Sequence, residues 1–184
     1  MIKHIDHITY AIKFENEKQE IKKWETLGLH EHVRLNTVIF PATHIALTSG
    51  VPKNNDEVSW NLMTGLSISE DFNSPINEFI RRYGEGAQHI AYNIDPKTDI
   101  AEFYWKLHDK FNLMTSILSY SDNNNAGLNQ IFVNPKKPFG PFIEFVQRLP
   151  GENGNLYDGF DVSNIENLYR EYDCYSRWLI RKGQ

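Results

Sequence analysis

Cysteine occurs once in the 184-residue chain, at Cys174, so no disulfide can close within it and a reducing compartment suits it. Basic residues are in deficit: 19 Lys and Arg stand against 24 Asp and Glu, and no basic block interrupts the net charge of −5. The electrostatic footprint of a nucleic-acid binder is therefore missing. No apolar run approaches the roughly 18 residues of a membrane span. The N-terminus enters a strand pattern at once, without the regions of a signal peptide. These absences lead to the expectation of a cytoplasmic protein with no nucleic-acid or membrane partner. A chain of this length buries roughly 70% of its unfolded surface, so folding needs no structural metal or cross-link.

What the chain does contain is an internal repeat. His89, Ile90, Tyr92 and Ile94 follow the glycine-punctuated turn Gly84-Glu85-Gly86, and the same pattern stands 82 positions earlier as His7, Ile8, Tyr10 and Ile12. Each strand pattern opens a unit in the order β-α-β-β-β. In the first, Ile5 to Ile12 reads as a strand and Glu15 to Gly28 as a helix, with Ile21, Trp24 and Leu27 on one side. Strands are expected near His32 to Phe40, Thr43 to Thr48 and Val58 to Ile68. Ser74-Pro75 reads as an N-cap followed by proline at the first helical position, opening a linking helix over about 74–83.

The second unit has a strand at His89 to Asp95 and a helix at Asp99 to Phe111, whose Ile100, Phe103, Tyr104, Leu107 and Phe111 give the clearest amphipathic pattern. Strands near Met114 to Tyr120, Leu128 to Asn134 and Pro141 to Arg148 complete it. The spacing predicts an α+β domain over 1–150, with modules of about 1–73 and 84–150 forming one curved mixed sheet. A C-terminal extension over 151–184 carries a helix of about 163–181, opened by a capping box at Ser163-Asn164-Ile165-Glu166.

Strand alternation decides which side chains can meet. Ile8, Tyr10 and Ile12 share one face, and Ile90, Tyr92 and Ile94 its counterpart. His7 and His89 point the other way among small or polar neighbours, as the floor of a cup. Glu144 stands alone in the apolar run Pro141 to Val146. A carboxylate at mid-strand is costly to bury unless something neutralises it. Two imidazoles and one carboxylate with coordination positions left open form the triad preferred by non-haem iron(II), so His7, His89 and Glu144 are the expected ligands. The other histidines, His4, His30, His32, His44 and His108, read as ordinary core or surface residues.

These motifs resemble the vicinal oxygen chelate superfamily (glyoxalase, bleomycin resistance and dioxygenase proteins), and most of all the C-terminal catalytic domain of 4-hydroxyphenylpyruvate dioxygenases. The resemblance rests on Ile5-Asp6-His7, on Ile76 to Ile80 leading into Gly84 to Ala91, on Gln130-Ile131-Phe132, and on Phe142 to Arg148. Gly159-Phe160 to Asn164 with Leu168-Tyr169 resembles the family's gating helix. It implies iron(II), or another divalent metal, on His7, His89 and Glu144. It also implies substrate contacts from Gln130, Phe132, Phe142 and Asn61, and a lid carrying Ile165 and Tyr169. The reaction implied is oxidative decarboxylation of an aryl or related 2-oxo acid by O2, with the same substrate hydroxylated.

The chain departs from the family in three ways. An extra N-terminal domain is not matched, although both metal-bearing units are present and the cup is expected to close within one chain. Ala46 falls where the family has a substrate-contacting serine, and Ile165 where an aromatic is usual. Other readings stay open: a metal-dependent non-redox isomerase, epimerase or lyase of the same scaffold, or a small-molecule-binding protein without catalysis. A homodimer is compatible with the sequence.

Overall fold

The computed structural model describes residues 1–49, 63–135, 141–157 and 159–182. The first unit runs from β1 (Ile2–Lys13) through a 3-10 turn at Phe14–Asn16 into α1 (Glu17–Glu25). It continues as β2 (His30–Thr37), β3 (Ala42–Thr48) and β4 (Met63–Ser69). After α2 (Pro75–Tyr83), the second unit comprises β5 (Gly86–Ile94), α3 (Ile100–His108), β6 (Phe111–Leu113), β7 (Leu118–Ser121), β8 (Gly127–Pro135) and β9 (Phe142–Leu149). The last helix, α4, spans Val162–Lys182. Among the described residues no helix is long and apolar enough to cross a membrane.

The strands form one mixed sheet in the order β2-β3-β4-β1-β5-β9-β8-β6, with β7 also pairing β8. The order is that of a duplication. β1 lies parallel to β4 as β5 lies parallel to β9, and the two units meet where β1 and β5 pair antiparallel. The outer face is apolar and covered by helices, as the alternation predicts. Ile12, Leu29, Leu66 and Ile68 pack with Ile21 and Trp24 of α1, while Ile94, Ile131 and Phe145 pack with Phe103 and Leu107 of α3. Each such aliphatic side chain contributes about 1.5–3 kcal/mol when fully buried.

Local chemistry sets most helix ends. Ser74 Oγ accepts from Asn77 N at 3.1 Å, and Pro75 takes the first helical position, where its missing N–H costs nothing. Asp99 caps α3 by accepting from Ala101 N and Glu102 N. Gly84, at φ +83°, ends α2 in a conformation that a side chain would strain.

Four expectations need correcting. The helix expected to run to Phe111 ends at His108, and Phe111 opens β6. Of the strand expected over Met114 to Tyr120 only Leu118 to Tyr120 forms, within β7, because side chains replace ladder partners before it. Thr115 Oγ1 accepts from Phe132 N at 3.1 Å, and Glu171 takes the N–H of Ser116. The strand expected to reach Phe40 stops at Thr37, whose hydroxyl donates to Phe40 O at 2.7 Å and turns the chain. The capping box does not form either. Asp161 Oδ1 accepts from Asn164 N, while Glu166 reaches across to the N–H groups of Val38 and Ile39. That exchange trades a local cap for a tether between α4 and the turn after β2.

Candidate metal centre

Register places the triad. His7 pairs with Ala91 across β1 and β5, and Ala91 pairs with Glu144 across β5 and β9, so the three residues form one row on the inner face. Strands lie about 4.8 Å apart, so His7 and Glu144 can meet only over the small side chain between them. Ala91, fully buried, is that side chain. His89 enters from the adjacent row, where it pairs with Thr9 on one side and Phe142 on the other.

The three ligand atoms converge. His7 Nε2 and His89 Nε2 each lie 3.2 Å from the same oxygen, Glu144 Oε2. Ligand atoms of the three residues fall within 4.8 Å of one another, and all three residues are buried. The outer nitrogens are also held: His7 Nδ1 lies 2.9 Å from Asp6 Oδ1, and His89 Nδ1 lies 3.3 Å from Gln88 Oε1. Such partners fix a ligating imidazole with its other nitrogen toward the metal. Glu144 Oε1 accepts from Gln130 Nε2 at 2.8 Å, leaving Oε2 as the single oxygen for a cation.

Burial disfavours the charge on His7, but the Glu144 carboxylate and the bond to Asp6 outweigh it and push its pKa up to about 9. Burial likewise opposes the Glu144 charge, yet His7 and His89 hold its pKa well below the usual carboxylate range. Burial prevails at His89, whose pKa is lowered with only partial compensation from Glu144. A buried carboxylate between two imidazoles matches the donor set of a divalent-metal site.

A buried network supports the row from behind. Arg148 Nε and Nη2 each donate to Asp6 at 2.9 Å, and Asn93 Nδ2 donates to the same carboxylate at 3.1 Å. Burial opposes the Asp6 charge, and Arg148 more than offsets it, holding the carboxyl well below its ordinary pKa. Arg148 Nη1 also donates to Tyr157 O and Gly159 O, which ties the segment leading into α4 to the metal row.

The cavity beside the triad lies toward the first module. Thr9, Val33, Leu35, His44, Ala46, Gly65 and Ser67 line it together with Gln130, Phe132 and side chains of α4. It offers about 60 Å³ for the centres of water molecules, room for a few waters only. Gln130 and Phe132, expected to contact substrate, border this cavity, and Gln130 also accepts from Asn164 Nδ2 of α4 at 2.9 Å. Phe142 instead stacks on the His89 ring, 5.0 Å away, outside this cavity. Ile165 and Tyr169 of α4 line it, with Tyr169 buried against Phe40 and His44. Asn61 lies outside the described residues.

Sequence reasoning missed several neighbours. Asp6 and Arg148 are 142 positions apart and meet only because β1, β5 and β9 are adjacent. Phe160 stands edge-on to His7 at 5.0 Å. Gly65 pairs with Thr9 as Glu144 pairs with Ala91, so glycine occupies the place related to Glu144 by the duplication. A Cβ there would meet Thr9 Oγ1 at 2.4 Å, so the first module offers the metal no fourth side chain at that place. His44, read as an ordinary histidine, borders the cavity beside Ala46; its alternation with Ala46 on β3 was the available signal.

No protein-family model matches the chain, and neither does any curated protein sequence. Solved structures do. A triple mutant of 4-hydroxymandelate synthase from Streptomyces coelicolor superposes with a TM-score of 0.71 at 19% identity, over 94% of this chain and 55% of that one. The chain thus spans about half the length of that relative. A xylose isomerase-like TIM barrel/4-hydroxyphenylpyruvate dioxygenase fusion protein matches with a TM-score of 0.66 at 19% identity, over 96% of this chain and 30% of that chain. Methylmalonyl-CoA epimerase from Mycobacterium tuberculosis matches with a TM-score of 0.56 at 20% identity, over 81% and 90% of the two chains. With its duplicated β-α-β-β-β units closed around a buried cluster of two histidines and one glutamate, the chain has the vicinal oxygen chelate fold.

Proposed function

We propose that the chain is a non-haem iron(II)-dependent dioxygenase of the 4-hydroxyphenylpyruvate dioxygenase type, which oxidatively decarboxylates an aryl or related 2-oxo acid. The observation that carries this reading is the three-ligand cluster with glycine in the duplicated place. His7, His89 and Glu144 would hold the metal, and Gly65, in the place related to Glu144, would bring it no fourth ligand, a donor set that suits non-haem iron(II). Iron(II), when bound there, supplies the reactivity toward O2 that side chains lack.

The remaining work falls to the chain's own residues. Asp6 holds His7 in the tautomer that presents Nε2, and Gln130 keeps Glu144 to a single free oxygen. Phe160, Ile165, Leu168 and Tyr169 keep bulk water from the reacting atoms. The small cavity means that α4 or the wall must shift to admit a substrate of aryl size. The longer structural neighbours favour this reading too. A match over 94% of 184 residues leaves out about 11, fewer than the 21 residues of α4, so the likeness takes in part of that helix. A non-redox enolisation needs a general base beside the metal; the described cavity lining carries no carboxylate besides Glu144, and burial lowers the pKa of His44 to about 3, which makes it a weak base.

The test is anaerobic purification, reconstitution with iron(II), and measurement of O2 uptake and CO2 release over a panel of 2-oxo acids, with Glu144→Ala as control. Coupled uptake and release that vanish in the variant are expected. Stoichiometric metal without O2 consumption on any 2-oxo acid would move the assignment to a non-redox enzyme.

A further inference from the structure

A line of hydrogen bonds joins the last helix to the triad. Asn164, in the first turn of α4, donates through Nδ2 to Gln130 Oε1 at 2.9 Å, and Gln130 Nε2 donates to Glu144 Oε1 at 2.8 Å. All three residues are buried. An ionised carboxylate only accepts, so Gln130 turns its NH2 to Glu144 and its oxygen to Asn164, which meets that oxygen as a donor. Register makes the reach possible: β8 pairs Phe132 with Glu144 and Gln130 with Val146, so Gln130 is a diagonal neighbour of Glu144 on the same face.

The other polar ties of α4 differ in kind. Glu166 accepts from Val38 N and Ile39 N in the first module, and Glu171 accepts from Ser116 N and Oγ in the second. Both ties are exposed and end on surface turns, away from the triad. Arg148, which supports Asp6 and through it His7, reaches Tyr157 O and Gly159 O, in the segment before the helix begins. Asn164 is thus the α4 residue whose hydrogen bonds lead, through one intermediate side chain, to Glu144.

The bond from Gln130 occupies Oε1 and leaves Oε2 as the oxygen that faces both imidazoles. When α4 lifts, the Gln130 oxygen loses its partner, the amide is free to turn, and Oε1 loses its fixed donor. We propose that Asn164 is a positioning residue that, through Gln130, holds Glu144 as a one-oxygen ligand and thereby links the docking of α4 to metal binding. Such linkage is reciprocal: the factor by which the docked helix strengthens metal binding is the factor by which metal holds the helix down. Loss of a partner that orients a ligand costs about 10–100-fold in metal affinity, and Asn164 acts one step further out, so about tenfold is expected. The linkage needs the metal to sit at the triad, as proposed above, but not the oxygen chemistry.

Cobalt(II) is the probe, added to the full chain without substrate. In the wild type, saturation should slow hydrogen exchange of the α4 amides over residues 166–171 by about tenfold. Asn164→Leu, which keeps the size and removes the donor, should abolish that slowing and weaken cobalt binding by the same factor. Gln130→Met should abolish the slowing too, which keeps the test open to refutation should Asn164→Leu not fold. The double variant should bind cobalt as Gln130→Met does, because Asn164 acts through Gln130. The visible absorption of bound cobalt, which follows its coordination, should change alike in both single variants; a helix that only packs would leave it as in the wild type. Exchange indifferent to cobalt, slowing that persists in Asn164→Leu, losses that add in the double variant, or an unaltered absorption would each overturn the proposal. Absence of cobalt binding would overturn it together with the metal site. Intact linkage in a chain that consumes no O2 with iron(II) would uphold it and remove the dioxygenase reading alone.

Discussion

Replacing Arg148 with methionine removes the positive half of a buried ion pair whose side chains are only 3% and 4% exposed. The Asp6 carboxylate would keep His7 and Asn93 as donors but lose both guanidinium bonds, and Tyr157 O and Gly159 O would lose theirs. Leaving one member of a buried pair uncompensated costs about 3–5 kcal/mol. In a chain of this size each kcal/mol lowers Tm by about 2–4 °C, so Arg148→Met should melt roughly 6–20 °C below the wild type. The deficit should depend on pH. The folded-state pKa of Asp6 is depressed, so its contribution is present above the unfolded value near 3.8 and lost as pH falls through the folded value. The gap between wild type and Arg148→Met should therefore be widest above about pH 5 and shrink toward pH 3, where Asp6 in the variant takes up a proton. Urea unfolding of the metal-free protein across pH measures this, with Asp6→Leu and the double variant closing a cycle. The double variant should be less destabilised than the sum of the singles. A loss below about 1 kcal/mol, a gap independent of pH, or strict additivity would refute the view that this pair is a tightly coupled buried support for the metal row.

Asp6→Asn keeps the size but removes the charge beside His7 Nδ1, so metal affinity measured by competition with a chelator should fall about 10–100-fold; an unchanged affinity would count against the orienting role. Ala91→Val places two methyl groups in the row between His7 and Glu144, and metal binding should weaken by more than the roughly 1–3 kcal/mol of overpacking lost in urea unfolding; equal losses would mean the row is not what aligns the ligands. Metal uptake should release a proton, because His7 holds one up to about pH 9 in the free site. Affinity should then rise with pH toward 9 and level off above it. Conversely, the stabilisation His7 gives the metal-free protein is complete below about 6.5 and is lost as pH rises through about 9, a decline thermal melts should follow.

The parts of the fold written in local pattern were legible in the sequence. Alternation in Asp6 to Ile12 and Gln88 to Ile94 separates a helix-covered face from an inner one, and the structure keeps that separation. The cap at Ser74 acts within three residues of itself and stands as written. What was hidden depends on partners far along the chain. Thr115 takes a ladder bond from Phe132, Glu166 leaves its own helix for Val38, and Arg148 finds Asp6 across three strands. The same holds for the site. His7, His89 and Glu144 could be grouped from strand faces, but the small residue that lets them meet, Ala91, follows only from the register. His44 looked ordinary because its inner-facing place depends on β3 pairing with β4 in line with the second module.

The central claim, that His7, His89 and Glu144 hold one catalytic metal, is tested most directly by anaerobic titration with iron(II), counting bound metal per chain in the wild type and in Glu144→Ala. One equivalent in the wild type and at least a hundredfold weaker binding in the variant are predicted. No stoichiometric binding, or a variant that binds as well as the wild type, would contradict the account.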